Sequence, residues 1–334
     1  MKILVTGAGG FIGAYLTALL LENGTRVIAL DNYNDYYSPR YKLLRFSQIV
    51  EKVNSKRLSV IHTDLCDAVE LNKLFASEKP EVIIHLAGQA GVRLPSEENY
   101  KYVDSNIVAF GNVLNLSLKW KAHVFMYASS SSVYGNSSEF PLQERSLNLR
   151  PVSFYGATKL VNEIWARSMS HNSDMKILGM RFFSVYGPWG RPDMAYFKII
   201  KSLYSGNPFR MYGDGSHVRD MTHVLDVVKS IELLSKFMCL NDVHTPTIVN
   251  IGGGRPHSLL ELISALEYYS GKKLKINRMP ASDLDVFRTE ASFEKLYSMI
   301  KFSPSIGLLE GAESLIDWAI KPEVINNLSE WSPL

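Results

Sequence analysis

Eleven residues near the start of the chain, Ile3–Gly13 (ILVTGAGGFIG), constrain the fold more than any others. An apolar run meets a glycine cluster, Gly7-x-x-Gly10-x-x-Gly13, and a helix-forming stretch follows from Phe11 and Ile12. Glycine removes the Cβ where a backbone turns sharply, approaches a pyrophosphate or lets a helix pack closely on a strand. A helix that starts there turns free N–H groups and the positive end of its dipole toward phosphate. Asp31 closes the next apolar run, 18 residues after Gly13, and Asn32 follows it. A carboxylate at that place accepts bonds from the adenosine ribose hydroxyls and repels a 2′-phosphate, so NAD is expected rather than NADP.

The same unit recurs along the first half. Lys2–Thr6, Arg26–Asp31, Leu58–Asp64, Glu81–Ala87, His123–Ser129 and Met175–Phe183 read as strands. Phe11–Asn23, Ala68–Glu78 and Tyr155–Ser170 read as helices. Continuous apolar strands alternating with helices predict an α/β fold, a Rossmann doubly wound parallel sheet covered on both faces. Asp64 with Leu65, and Leu86-Ala87-Gly88, fall at strand ends, where an open parallel sheet binds its ligand. Asp64 has a plainer reading as the N-cap of the following helix. After about Gly187 the alternation weakens. Residues 1–183 are therefore predicted to form the dinucleotide domain and 184–334 mainly a smaller α/β substrate lobe. Within 219–251, a helix at Val227–Lys236 and a strand at Thr247–Ile251 are expected to return to the sheet.

Composition narrows the function. The net charge of +3 over 334 residues argues against a dedicated nucleic-acid or membrane-surface protein. No apolar run approaches the roughly 20 residues that span a bilayer, and glycines interrupt the apolar N-terminus, so a cytoplasmic protein is expected. The two cysteines, Cys66 and Cys239, form no C-x-x-C pair, and no metal motif is seen.

Tyr155 and Lys159 make Y-x-x-x-K, one helical turn apart. A lysine so placed favours phenolate and brings a phenol of pKa about 10 toward working pH. Leu160, Val161, Ile164, Trp165 and Met169 are expected to form the inward face of that helix. Ser130, Ser131 and Ser132 follow a buried strand, 25 residues before Tyr155 in the case of Ser130. A serine hydroxyl there can bond a substrate oxygen beside the tyrosine; alone, the serine run would read as a polar loop.

The stretches TGAGGFIG, LAGQAGVR, YASSSSVYG, SFYGATK, RFFSVYGPWGRPDMA and VRDMTHVLDV together resemble the extended short-chain dehydrogenase/reductase family of nucleotide-sugar epimerases and dehydratases. DNYNDYY at 31–37, AGQAGVR at 87–93 and VYGPWGRPDMA at 185–195 resemble its UDP-glucuronate 4-epimerase subgroup. The resemblance implies NAD as cofactor, a UDP-sugar substrate and a homodimer through the helices at Asp104–Leu118 and Tyr155–Ser170. Tyr155 would be the catalytic base and acid, Lys159 the holder of the nicotinamide ribose, Ser130 the catalytic hydroxyl and Asn106 a residue near the cofactor. Ser184 and Arg219 would meet the diphosphate, and Met211 and Tyr212 the uracil. Arg191, with Ser131 and Ser132, would face the sugar carboxylate, and Arg93 and Asp283 join the substrate set. Relatives that dehydrate or decarboxylate carry an acid beside the catalytic hydroxyl; Ser131 and Ser132 stand there instead. That favours C4 epimerisation of UDP-glucuronate to UDP-galacturonate through a 4-keto sugar. The same chemistry on a neutral or N-acetylated UDP-hexose is the alternative, and a non-catalytic NAD sensor the remote one. The chain departs from the subgroup at Met279-Pro280-Ala281-Ser282-Asp283, at Thr289-Glu290-Ala291-Ser292, and at Met221 and His223.

Overall fold

Strands as apolar as VIIH and VFMYA must be covered on both faces, and they are. The computed structural model describes residues 1–53, 56–91, 94–170, 173–243, 246–280, 286–328 and 330–331. The first half runs β1 (Lys2–Thr6), α1 (Phe11–Glu22), β2 (Arg26–Asp31), α2 (Pro39–Ile49), β3 (Leu58–His62), α3 (Ala68–Glu78) and β4 (Val82–His85). It continues through α4 (Asn99–Tyr102), a π-helical segment Val103–Val108, α5 (Ala109–Lys119), β5 (Val124–Ser130), α6 (Phe154–Met169) and β6 (Lys176–Phe182). The second half adds β7 (Ser184–Tyr186), α7 (Ala195–Ser205), β8 (Phe209–Tyr212), β9 (Val218–His223), α8 (Val224–Leu240) and β10 (Thr247–Ile251). Last come β11 (Pro256–Ser258), α9 (Leu259–Ser270), β12 (Ile276–Met279), α10 (Glu294–Ile300), α11 (Leu308–Ala319) and α12 (Pro322–Ile325).

Seven parallel strands form the main sheet in the order β3-β2-β1-β4-β5-β6-β10. On one face α1 and α8 bury Leu16, Leu20, Val227 and Ile231 against Val5, Ile84 and Val249. On the other, α3 and α5 bury Leu71, Phe75, Phe110 and Leu114 against Leu4, Ile28 and Phe125. A second core gathers Phe197, Ile200, Leu266, Leu315 and Trp318 from α7, α9 and α11. Two small sheets, β11-β9-β7 and β12-β8, lie in the second half. The stretch 219–251 is divided: β9 belongs to a small sheet, while α8 and β10 lie on the main one. No helix among the described residues is long and apolar enough to cross a membrane.

The structure departs from the sequence reading in three places. α8 begins at Val224 and not Val227, because the His223 ring accepts the Leu225 N–H as an N-cap. α2 went unread: its apolar spacing is poor, and it is anchored by Ser38 as N-cap, Pro39 in the first turn and buried Tyr41, Arg45 and Phe46. In α6 the expected inward face is divided: Leu160, Trp165 and Met169 pack on the buried cores, but two of its residues do not. Val161 and Ile164 are exposed, whereas Thr158, Lys159, Asn162 and Glu163 are buried. For Glu163, partners make this burial tolerable. Arg181 on β6 gives Nε and Nη2 to the Glu163 carboxylate at 2.9 and 2.8 Å, and the Ser129 hydroxyl donates to Glu163 at 2.5 Å.

That fork ties α6 to β5 and β6 directly behind Ser130. Glu163→Gln leaves the buried Arg181 charge without its counter-ion, and the expected loss is about 3–5 kcal/mol of unfolding free energy. Urea denaturation checks it; an unchanged midpoint would mean that the pair contributes nothing to the packing of α6.

Candidate active site

The sheet order reverses between β1 and β4, and at such a reversal an open parallel sheet takes its ligand beyond the carboxyl ends of the strands. Gly7 turns at φ +71° with its backbone against β4's end: a Cβ there would stand 2.7 Å from the Ala87 nitrogen. Cβ atoms on Gly10 and Gly13 would stand 2.9 and 2.0 Å from the Gly7 carbonyl oxygen. The loop therefore coils on itself, and only glycine fits at these places. Asp31 braces it from β2. Its carboxylate accepts the Gly9 N–H at 2.9 Å and the Tyr33 N–H at 2.7 Å. Gly9, which the sequence reading passed over, lies under the Tyr33 ring.

Asp64 is no helix cap; Asp67 caps α3. Asp64 instead accepts from the Asn32 amide at 2.9 Å and the Cys66 N–H at 2.8 Å. It is held below the usual carboxylate range by these donors, which outweigh the opposing effect of burial. Asn32, Asp64 and buried Leu65 thus form one wall at the ends of β2 and β3. Beside it, Leu86, Ala87 and Gly88 leave β4.

A Cβ on Gly88 would stand 2.8 Å from Asn106 Oδ1 and 3.2 Å from Lys159 Nζ. The Asn106 amide nitrogen donates to the Gln89 carbonyl at 3.1 Å and the Thr158 hydroxyl at 3.0 Å, while its Oδ1 is buried without a partner. A buried acceptor without a protein partner, beside a buried amine and pressed close to a glycine backbone, is a place where a bound ligand can supply the missing donor.

Ser130 and Tyr155 meet across the ends of β5 and α6. The Ser130 hydroxyl accepts the Ser132 N–H at 3.1 Å, donates to the Ser132 hydroxyl at 3.1 Å, and lies near enough to the Tyr155 phenol to favour its ionised form. Burial raises the Tyr155 phenol above its ordinary value; the Ser130 bond and the Arg191 charge act against it. Lys159 stands one helical turn on from that phenol and is buried. Its amine lies toward Gly88 and Asn106, 5.9 Å from the Tyr155 ring centre, and burial lowers it to about 8.

The second half contributes a rim. Arg191 gives Nε and Nη2 to the Asp193 carboxylate at 3.0 and 2.5 Å, and Tyr36 donates to the same carboxylate at 3.3 Å. Tyr36 and Asp193 were not read from sequence; DNYNDYY was noted only as a motif. Arg219 donates to the Val218 and Phe287 carbonyls at 3.0 and 3.3 Å. Ser184 is half-buried on β7. Met211 is fully buried in the second core, and Tyr212, paired with Met279 of β12, is exposed. Arg93 and Asp283 lie outside the described residues. Of the departures, His223 caps α8, Met221 packs on the second core, and Thr289 and Ala291 are tied through their backbone and hydroxyl to Asp220. These four serve the scaffold.

Comparison with known proteins agrees with this geometry. The profile of the NAD dependent epimerase/dehydratase family matches residues 3–252, and the chain belongs to that family. Protein CapI of Staphylococcus aureus is 37% identical over 335 residues, covering 96% of this chain and 99% of that protein. A Rhizobium meliloti protein named "Probable UDP-glucuronate 4-epimerase" is 36% identical over 332 residues, covering 95% and 96%. The crystal structure of UDP-glucuronic acid 4-epimerase from Bacillus cereus, in complex with UDP-glucuronic acid and NAD, superposes with a TM-score of 0.88. It is 32% identical and covers 95% of this chain and 98% of that one.

Asp31→Ala removes both a charged acceptor and the brace on Gly9. NAD affinity should fall by about 1.5–3 kcal/mol, the worth of a hydrogen bond to a charged group. Calorimetric titration checks this, and undiminished affinity would take Asp31 out of the site.

Proposed function

We propose that this chain catalyses the NAD-dependent C4 epimerisation of UDP-glucuronate to UDP-galacturonate. The observation that carries the reading is the convergence of Ser130, Tyr155 and Lys159 with the orphaned Asn106 oxygen, at the carboxyl ends of the sheet. Serines, not an acid, follow Ser130. NAD, when bound, supplies the acceptor and then the donor of the C4 hydrogen.

The chain's own residues do the rest. Gly7, Gly10 and Gly13 let the loop coil tightly, and a diphosphate then lies before the N–H groups at Phe11 and Ile12. Asp31 takes the adenosine ribose, and Asn32, Asp64 and Leu65 bound the adenine. Leu86, Ala87 and Gly88 floor the cofactor site, with Lys159 on the nicotinamide ribose and Asn106 beside it. Tyr155 removes the C4 hydroxyl proton and returns it after the sugar has turned; Ser130 bonds the same oxygen. Burial opposes forming a phenolate, so the nearby positive charge of Arg191, and of Lys159 when protonated, favours the step. Ser184 and Arg219 serve the diphosphate, and the β8 segment Met211–Tyr212 the uracil, Met211 as wall and Tyr212 as the exposed face.

A 4-keto sugar with a C5 carboxylate is a β-keto acid and loses carbon dioxide when the carboxylate is aligned with the ketone. Ser131 and Ser132 hold it out of line. Arg191 takes part only by exchanging Asp193 for the substrate, since its fork is already filled.

The chain also acts as a homodimer in this reading. Tyr100, Val103, Val108, Phe154, Val161 and Ile164 are exposed apolar residues on elements that pack together, α4, the π-helical segment and α6. An outward apolar stripe of that kind suits a second copy of the chain. Ile164→Glu should shift the species seen by sedimentation velocity from dimer to monomer; a wild-type monomer would refute the assignment.

Tyr155→Phe tests the chemistry. The variant should keep its fold and bound NAD, yet lose at least about 10²-fold in turnover of UDP-glucuronate. NMR of the C4 configuration reads the product. Near-normal turnover would end the mechanism, and wild-type preference for UDP-glucose would move the reading to a neutral sugar.

A further inference from the structure

Arg45 on α2 is fully buried. Its guanidinium donates to the Trp189 carbonyl at 2.7 Å, to the Gly9 carbonyl at 3.0 Å, to the Tyr37 hydroxyl at 2.8 Å and to the Gly190 carbonyl at 3.3 Å. The Tyr41 and Tyr37 rings lie 4.7 and 5.5 Å from its central carbon. All four acceptors are neutral oxygens. A buried cation held only by neutral dipoles is costly, so its retention calls for a reason.

The acceptors supply one. Gly9 belongs to the loop that coils under the dinucleotide, and its N–H is already fixed by Asp31. Trp189 and Gly190 belong to the turn that leads into Arg191. Trp189 is not glycine, yet it stands at φ +58°, a left-handed conformation that side chains resist. Such strain persists only where the surroundings over-determine it. Here the Arg45 Nε bond fixes the Trp189 carbonyl, Tyr41 donates to the Gly190 carbonyl at 2.8 Å, and the indole is buried against Tyr41. One planar fork thus touches the cofactor loop with one nitrogen and the strained turn with the other two.

We propose that Arg45 is a positioning residue that locks the Arg191 turn onto the glycine loop, so that the cofactor and sugar sites keep a single register. The proposal rests on the epimerase reading above, because it takes Arg191 and the glycine loop as the two halves of one site. It reaches neither substrate nor cofactor itself. Lysine keeps the charge but not the fork, so charge and geometry are separable at this position.

The test is a double-mutant cycle of Arg45→Met and Arg191→Lys, read as kcat and KM on the UDP-sugar that the wild type turns over. Arg45→Met should lower kcat on the order of 10²-fold, the scale of a misplaced catalytic geometry. The double variant should lie about threefold or more from the product of the two single losses. Arg45→Lys should melt near the wild type and still lack most of the kcat; it replaces Met in the cycle if Arg45→Met does not fold. Multiplicative losses, or full turnover in Arg45→Lys, overturn the proposal. Failure of the wild type on UDP-glucuronate, with turnover of another UDP-hexose, overturns the substrate reading and leaves the cycle interpretable.

Discussion

Gly7 backs onto Ala87 so closely that no side chain fits between them, and the site is built outward from that contact. The approach joins the end of β1 to the end of β4 at the place where the strand order reverses. It keeps the glycine loop low enough for Asp31 to reach Gly9 from β2 and for Arg45 to reach Gly9 from α2. Thr6, the last residue of β1, continues the join. Its hydroxyl accepts the Ala87 N–H at 3.3 Å and contacts His85 Nδ1 at 2.8 Å. Whichever of the two gives the proton, the bond needs only a neutral ring. Burial first, then the Lys159 charge, hold His85 down at about 3, which agrees.

Burial also governs the chemistry. It pushes Tyr155 up and Lys159 down, so both groups are drawn toward their neutral forms in the protein alone. The positive charge that opposes this sits in different places: Arg191 on the rim, Lys159 at Gly88. Neither Arg191 nor Asn106 is positioned by its own strand or helix alone. Arg191 depends on the turn clasped by Arg45 and on Asp193, and Asn106 on Gln89 and Thr158. The Ser130 and Tyr155 side chains are thus supported from both halves of the chain, with Glu163 and Arg181 fastening α6 behind them.

The sheet and the glycine loop were legible because their signals are local: unbroken apolar runs for buried strands, and glycines where a Cβ cannot fit. Y-x-x-x-K and the serine run were legible for the same reason. What escaped depends on partners far along the chain. Part of the inward face of α6 is polar, and Arg181 and Ser129 make the burial of its Glu163 affordable. Val161 and Ile164 look like core residues by type and face outward. Arg45 reads as one more surface cation in PRYKLLRFSQI, and its backbone acceptors are 36 residues upstream and more than 140 downstream. Asp193 stands only two residues on from Arg191, but the sequence alone does not say which carboxylate fills the guanidinium fork.

The central claim is that C4 hydrogen leaves and returns inside one closed site. The direct measurement is the isotopic fate of that hydrogen: UDP-glucuronate incubated with the enzyme in deuterium oxide, with both epimers analysed by NMR and mass spectrometry. The account predicts UDP-galacturonate that keeps protium at C4, alongside transient NADH absorbance during turnover. Deuterium at C4 of the product would contradict it, because the hydrogen would then have exchanged with solvent rather than returned from the cofactor.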